Sequence, residues 1–304
     1  MKLLLTGGTG QLGRAFAAAL PDTVELIAPP RPDFDLARPA TLAAPLRAFA
    51  PAVIVNAAAM TAVERAEREP ALARTVNADA VAVLAAAARE LDALLIHFST
   101  DYVFDGRKPA PYVEEDAPAP LNVYGASKLA GEAAIRASGA RHLILRTSWV
   151  YSGAGRNFLT AILEQATQSR DLRVVDDQHG APTWAENLAP IAATLAQALQ
   201  AEPAASARLG TFHCTAAGDT TWCGFAQAIL EEAVTLGAEA RARIVPVTTA
   251  EYGAAVVRPA HSRLDCSRLA HTFGDLLSPL PDWRTSLRAC LRARYAVLAG
   301  GTRP

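Results

Sequence analysis

The sequence predicts an α/β fold: a doubly wound parallel sheet, helices on both faces, with a smaller, interleaved C-terminal domain. Three observations predict it. Short runs rich in Val, Ile and Leu alternate with alanine-rich helical segments over the first half of the chain, the pattern of strands buried on both faces and joined by right-handed crossovers. A glycine-rich turn, TGGTGQLG, follows the first such run at residues 6–13. The 304 residues also exceed the size at which one core usually stops growing.

Taken in order, KLLLT (2–6) is the first strand, and a helix over Gln11–Leu20 opens on its glycines. VELIA (24–28), AVIVNAA (52–58), LLIHFST (94–100) and HLILRTSWVY (142–151) are the next four strands. Helices over Pro39–Phe49, Ala71–Leu91 and Asn122–Ala137 separate them. After Tyr151 the rhythm loosens: helix Arg156–Gln168, strand LRVVDD (172–177), helix Trp184–Leu199 and strand TFHCTA (211–216). Gln200–Arg208 reads as a polar surface loop. From Thr221 come a helix, the strand RIVPVTT, a Pro-rich tail and a last helix near Trp283–Tyr295. One domain is expected over 1–150 and 171–220, the second over 151–170 and 221–304.

Composition narrows the function classes. The net charge of -1 offers no attraction for nucleic acid or an acidic membrane. Met1–Thr6 is a short strand with no cleavage site, and no apolar run approaches the length of a bilayer span. The four cysteines (Cys214, Cys223, Cys266, Cys290) form no C-x-x-C pair and read as buried free thiols of a cytoplasmic protein. The six histidines do not pair at ligand spacing, so no metal is expected. Only Lys2, Lys108 and Lys128 are lysines among 29 basic residues.

Gly7, Gly10 and Gly13 space as G-x-x-G-x-x-G between a buried strand and a helix. The first allows the tight turn, the second lets backbone N–H groups approach a pyrophosphate, and the third lets helix and strand pack closely. The helix N-terminus adds a field that favours the anion. This is a Rossmann-type dinucleotide site. Arg31, after the second strand, can meet a 2′-phosphate, whereas Asp35 can accept ribose hydroxyls. The balance favours NADPH, with NADH also accepted.

Tyr124 and Lys128, in YGASKLAGE, share one helix face. A charged lysine near the phenol would lower its pKa towards the working range of a proton donor, and Tyr124–Lys128 reads as a catalytic pair. Thr100 closes the fourth strand at the sheet's ligand edge. Ser99 should point the other way, and spacing alone does not choose between them.

With these pieces assembled, the chain resembles the extended short-chain dehydrogenase/reductase family, in its branch acting on sugar nucleotides. The matching stretches are GGTGQLG, VIVNAAAMTAVERAE, FSTDYVFDG, YGASKLAGE, RTSWVYS, DDQHGAPTWA and RPAHSRLDCSRL, from residue 6 to about 269. The resemblance implies cofactor contacts at Gly10, Gln11, Leu12, Asp35, Leu36, Ala59, Met60, Thr61, Phe98, Tyr124 and Lys128, besides Gly7. It implies substrate contacts at Thr100, Asp101 and Trp149, with Tyr124 as proton donor. Met60 stands where members often carry His or Tyr, and His261 replaces a commoner Asn. Ala15 occupies the place of a magnesium-bridging glutamate described in some dimeric members, so the metal is not carried over, while a homodimer stays open.

The activity implied is reduction of the C4 ketone of a dTDP-linked 4-keto-6-deoxyhexose. Arg258 and Arg263 are candidate partners for its diphosphate. A dehydratase relative would need Asp-Glu where this chain has Asp101-Tyr102, and an epimerase usually carries Phe-Ile where it has Gln11-Leu12. A different sugar-nucleotide reductase or epimerase of the same family, or a non-catalytic nucleotide-binding subunit, are the rival readings.

Overall fold

A computed structural model describes residues 1–168, 171–202, 206–239 and 242–299. Six parallel strands form the main sheet: Lys2–Thr6, Glu25–Ile27, Val53–Asn56, Leu94–Thr100, His142–Thr147 and Gly210–His213, called first to sixth in that order. Their spatial order is sixth, fifth, fourth, third, first, second. The chain therefore reverses direction across the sheet at the first strand. Such a reversal opens a crevice outside the carboxyl ends of the strands.

Alternation along each strand builds two cores. Leu3, Leu5, Val53, Val55, Leu94 and Ile96 pack towards the helices Gln11–Ala19 and Ala185–Ala201. Leu4, Ile54, Leu95 and Ile144 face Ala43–Phe49 and Ala80–Glu90 on the other side. Each such side chain, fully buried, contributes about 1.5–3 kcal/mol. A third core joins Phe158–Gln168, Trp222–Thr235 and Trp283–Ala299 beside the sheet.

The strand Asp171–Val175 pairs with Arg243–Val247, and its Leu172 and Val174 are buried in the third core. Residues 171–175 thus pack with the second body, where sequence analysis assigns them to the first. Conversely, Leu269 and Phe273, on the helix Ser267–Phe273, return to the sheet's own core.

Other departures have local causes. The run 142–151 is broken after Thr147, because Trp149 adopts φ +47°. Val150–Tyr151 then pairs with Thr183–Trp184 instead. Pro39–Thr41 is a 3-10 turn preceding its helix, and Val63–Arg68 is a helix with no counterpart in the sequence reading. Gln200 and Ala201 continue a helix and Ser206–Arg208 form a 3-10 turn, while residues 203–205 of the expected loop lie outside the described ones. Pro70–Glu90 is one continuous 21-residue helix, apolar enough in composition to cross a bilayer, contrary to the expectation that no run is. Its Ala80, Val81, Leu84 and Ala85 are buried against the sheet. Within it Thr75–Asp79 widens to a π-helical turn.

Candidate active site

A cleft of about 880 Å³ runs along the carboxyl ends of the first, third, fourth and fifth strands. Every residue that sequence analysis assigned to cofactor or substrate lines it, except the two arginines Arg258 and Arg263. The glycine turn forms one wall. Gly7 has φ +71°, and a Cβ there would come within 2.8 Å of the Ala58 nitrogen. A Cβ on Gly13 would lie 2.1 Å from the Gly7 carbonyl oxygen, so both positions exclude side chains. Gly10 caps the helix Gln11–Ala19 with no side-chain acceptor, which leaves its first N–H groups for an anion. The residues present therefore fit a dinucleotide pyrophosphate. At the far end Arg31 donates to Asp35 Oδ1 at 3.3 Å, so both ribose-side candidates stand together.

The opposite wall is the helix Val123–Ser138, started by Asn122, whose Oδ1 accepts from the Gly125 N–H at 2.9 Å. The small residues after Tyr124 have a steric reason: a Cβ on Gly125 would sit 2.1 Å from the Tyr102 carbonyl oxygen. Helix and strand exit thus touch backbone to backbone, which brings Tyr124 to the end of the fourth strand. Ser99 turns away and donates to Glu132 Oε1 at 2.6 Å, in a buried pair with Arg146. Thr100 faces the cleft, accepts from Tyr102 N–H at 3.2 Å and donates to Asp101 Oδ1 at 3.0 Å. The strand's alternation selects Thr100.

Burial dominates the electrostatics. It pushes the Tyr124 phenol up to about 12, against the pull of the Thr100 hydroxyl and with the push of Asp101. It raises Asp101 to about 7, more than its hydrogen bonds lower it, and Asp101 Oδ2 has no partner. It lowers Lys128 to about 8, while Glu132 pulls the other way. Lys128 does not point at Tyr124. Its Nζ lies 2.7 Å from the Phe98 carbonyl oxygen and 3.0 Å from His97 Nε2. The expected depression of the tyrosine by the lysine is therefore absent from this arrangement.

Tyr102 meets the Tyr124 ring edge-on at 5.8 Å, and burial drives its own pKa far upward. Arg258 beside it pulls the other way without overcoming burial and the push of Asp101, so Tyr102 is a wall and not an acid. Trp149 lines the cleft's outer rim, stacked on Trp222 at 3.6 Å. A Cβ on Gly180 would strike that indole at 2.5 Å, which accounts for glycine in DDQHGAPTWA. Arg258 does not line the cleft; it sits against the Tyr102 phenol, paired with Glu64 and donating to the Val256 carbonyl. Arg263 binds the Pro109 carbonyl and lines a separate cavity with Asp219.

Sequence reasoning missed Asn77. From the π-helical turn its Oδ1 accepts the Met60 N–H at 2.8 Å, and its Nδ2 donates to Met60 O and Ser127 Oγ. It ties the Met60 loop to the helix Val123–Ser138, and a lone amide inside an apolar helix face was the available signal. Trp222 was missed too, since the residue that stacks on it is 73 positions away in sequence.

The family described as RmlD substrate binding domain matches residues 1–296. A dTDP-4-dehydrorhamnose reductase of Burkholderia thailandensis is 44% identical over 296 residues, spanning 96% of this chain and 98% of that protein. One of Escherichia coli is 41% identical, over 98% and 100%. Among solved structures, a dTDP-4-dehydrorhamnose reductase of Bacillus anthracis in complex with NADP superposes with TM-score 0.87 at 30% identity, covering 96% and 99%.

Proposed function

This chain belongs to the RmlD substrate binding domain family, and from that premise we infer that it is an NAD(P)H-dependent oxidoreductase, a dTDP-4-dehydrorhamnose reductase. It reduces the C4 ketone of dTDP-4-dehydro-6-deoxy-L-mannose to the alcohol of dTDP-L-rhamnose. The observation that carries this for the chain itself is the meeting of Thr100, Tyr124 and Lys128 at the end of the fourth strand, in the cleft walled by the glycine turn.

When bound along that turn, the dinucleotide supplies the hydride. The protein's part is orientation and the proton. Thr100 holds the ketone oxygen beside the phenol, and Tyr124 gives its proton to that oxygen as negative charge develops there. A phenol pushed up to about 12 by burial keeps its proton until then. Lys128, one turn along the same face, lines the cleft and would hold the ribose hydroxyls of the bound dinucleotide. Trp149, braced by Trp222, covers the deoxysugar face at the rim. Arg258 can reach the substrate's diphosphate only by leaving Glu64.

Asp101 lacks a glutamate neighbour, which sets this site apart from sugar-nucleotide dehydratases of the same scaffold. Small molecules are the partners of this reading, and the four free cysteines suit a reducing cytoplasm.

Turnover of dTDP-4-keto-6-deoxyhexose with NADPH and with NADH, followed by NMR of the product sugar, tests the reading. Loss of nicotinamide absorbance and a rhamnosyl product are expected, and no absorbance change with either cofactor would defeat it. Tyr124→Phe should lower kcat by roughly 10²–10⁴ and leave NADPH binding intact. Full activity in that variant removes Tyr124 from the mechanism.

A further inference from the structure

Lys128 is backed by a line of polar side chains that the reduction chemistry does not use. Thr6, Asn56 and His97 stand opposite one another on the first, third and fourth strands, all on one face of the sheet. All three are buried, His97 completely. The Thr6 hydroxyl lies 2.6 Å from Asn56 Oδ1, Asn56 Nδ2 lies 2.9 Å from His97 Nδ1, and His97 Nε2 lies 3.0 Å from Lys128 Nζ.

The polarity of this line follows from one donor that cannot reverse. The Ala58 backbone N–H points at Asn56 Oδ1 at 3.3 Å, so that oxygen is the acceptor and Nδ2 the donor. The 2.6 Å contact with Thr6 agrees, being in the O–H···O range and short for N–H···O. His97 Nδ1 must then accept. A neutral imidazole has one N–H, so it resides on Nε2, facing Lys128. An ammonium has three donors and no acceptor, whereas an amine can receive that hydrogen, donate to Phe98 O and keep one N–H for the cleft.

We propose that His97 is a positioning residue for Lys128: fixed as the Nε2–H tautomer by Ala58 through Asn56, it donates to Nζ and favours the uncharged amine. The charge that Lys128 offers the dinucleotide then switches close to the working pH. Burial lowers Lys128 in the same direction and, with Lys128 beside it, keeps His97 neutral. The other ionisable groups around the pair do not replace His97. Glu132, one turn on, is already engaged by Arg146, Arg136 and Ser99. Asp101 and Tyr124 lie at the cleft end, and opposite His97 on the fifth strand is Ile144.

Two measurements test this, the kinetic one resting on the reductase reading and the other independent of it. The first is 15N NMR of the histidine rings in the free enzyme, with His97 assigned by its loss in His97→Asn. At about pH 9, on the basic side of the Lys128 titration, Nε2 should be protonated and Nδ1 bare. Protonation on Nδ1 overturns the proposal. In His97→Asn the amide can still meet Asn56 but cannot reach Nζ. Losing a donor to the amine should move the alkaline limb of kcat/KM for NADPH up by about half to one pH unit. A purely structural role predicts a lower melting temperature with an unmoved limb, and an acceptor role predicts a downward move; either result overturns it. Wild type without any reductase turnover would defeat the functional reading alone, leaving the tautomer measurement to decide this one.

Discussion

Asp101 shows how the site trades stability for chemistry. Its carboxyl is buried with one oxygen unpartnered and sits near 7, against 3.8 for the ordinary group. Between those values the folded protein holds a proton that the unfolded chain has released, so stability falls as pH rises through this window. Asp101→Asn cannot ionise and should escape the loss. Denaturant unfolding should find it more stable than wild type by about 2–4 kcal/mol at pH 8 and no different near pH 4. An equal difference at both pH values would rule out ionisation of the buried carboxyl as the cause. That Thr100, Tyr124 and Lys128 meet in one cleft was legible, because spacing along one strand end and one helix turn brings them there. The electrostatics were not: proximity in a helix suggested that the lysine lowers the phenol, whereas burial of both groups and the carbonyl of Phe98 decide otherwise.

At the level of elements, the site is assembled by close backbone approach. Gly131 lets the helix Val123–Ser138 rest on the π-helical turn, where a Cβ would come 2.2 Å from the Asn77 carbonyl oxygen. The widened turn re-aims Asn77 out of the helix ladder and onto the Met60 loop, a use typical of such turns. Asn77→Ala leaves the Met60 N–H and carbonyl without partners in a buried place, at a cost of about 2–4 kcal/mol. Thermal unfolding should register that loss, and dinucleotide affinity should fall with it, because Met60 lines the cleft. Retained affinity at lowered stability would assign Asn77 to packing alone. Strand and helix positions could be read from apolar period, but not the π turn, which depends on which neighbour the helix must meet. Nor could the end of the fifth strand, since the apolar run continues through Trp149 while the backbone turns.

Across the whole molecule, the sheet's crevice and the third core meet at two tryptophans. Trp149 leaves the fifth strand in a conformation that side chains rarely adopt, a cost on the order of 1–3 kcal/mol, and is held there by Trp222 from the third core and by the space left at Gly180. Trp222→Ala removes the brace without touching the glycine turn. KM for the sugar nucleotide should rise roughly three- to tenfold, as expected from about 0.5–1.5 kcal/mol of ring stacking, with dinucleotide affinity unchanged. Parallel changes in both would show that the third core supports the entire cleft.

What the sequence by itself determined about this protein is local: the alternating elements, the glycine turn, and the placement of cleft residues a few positions apart. Buried runs, tight turns and one-turn helix spacing are each specified by neighbours in the chain. Only the tertiary structure decided which way Lys128 points, which amide clamps the Met60 loop, and where strand Asp171–Val175 finds its partner. Each of these is a contact between residues distant in sequence, selected by burial and by the demand that buried polar groups be paired.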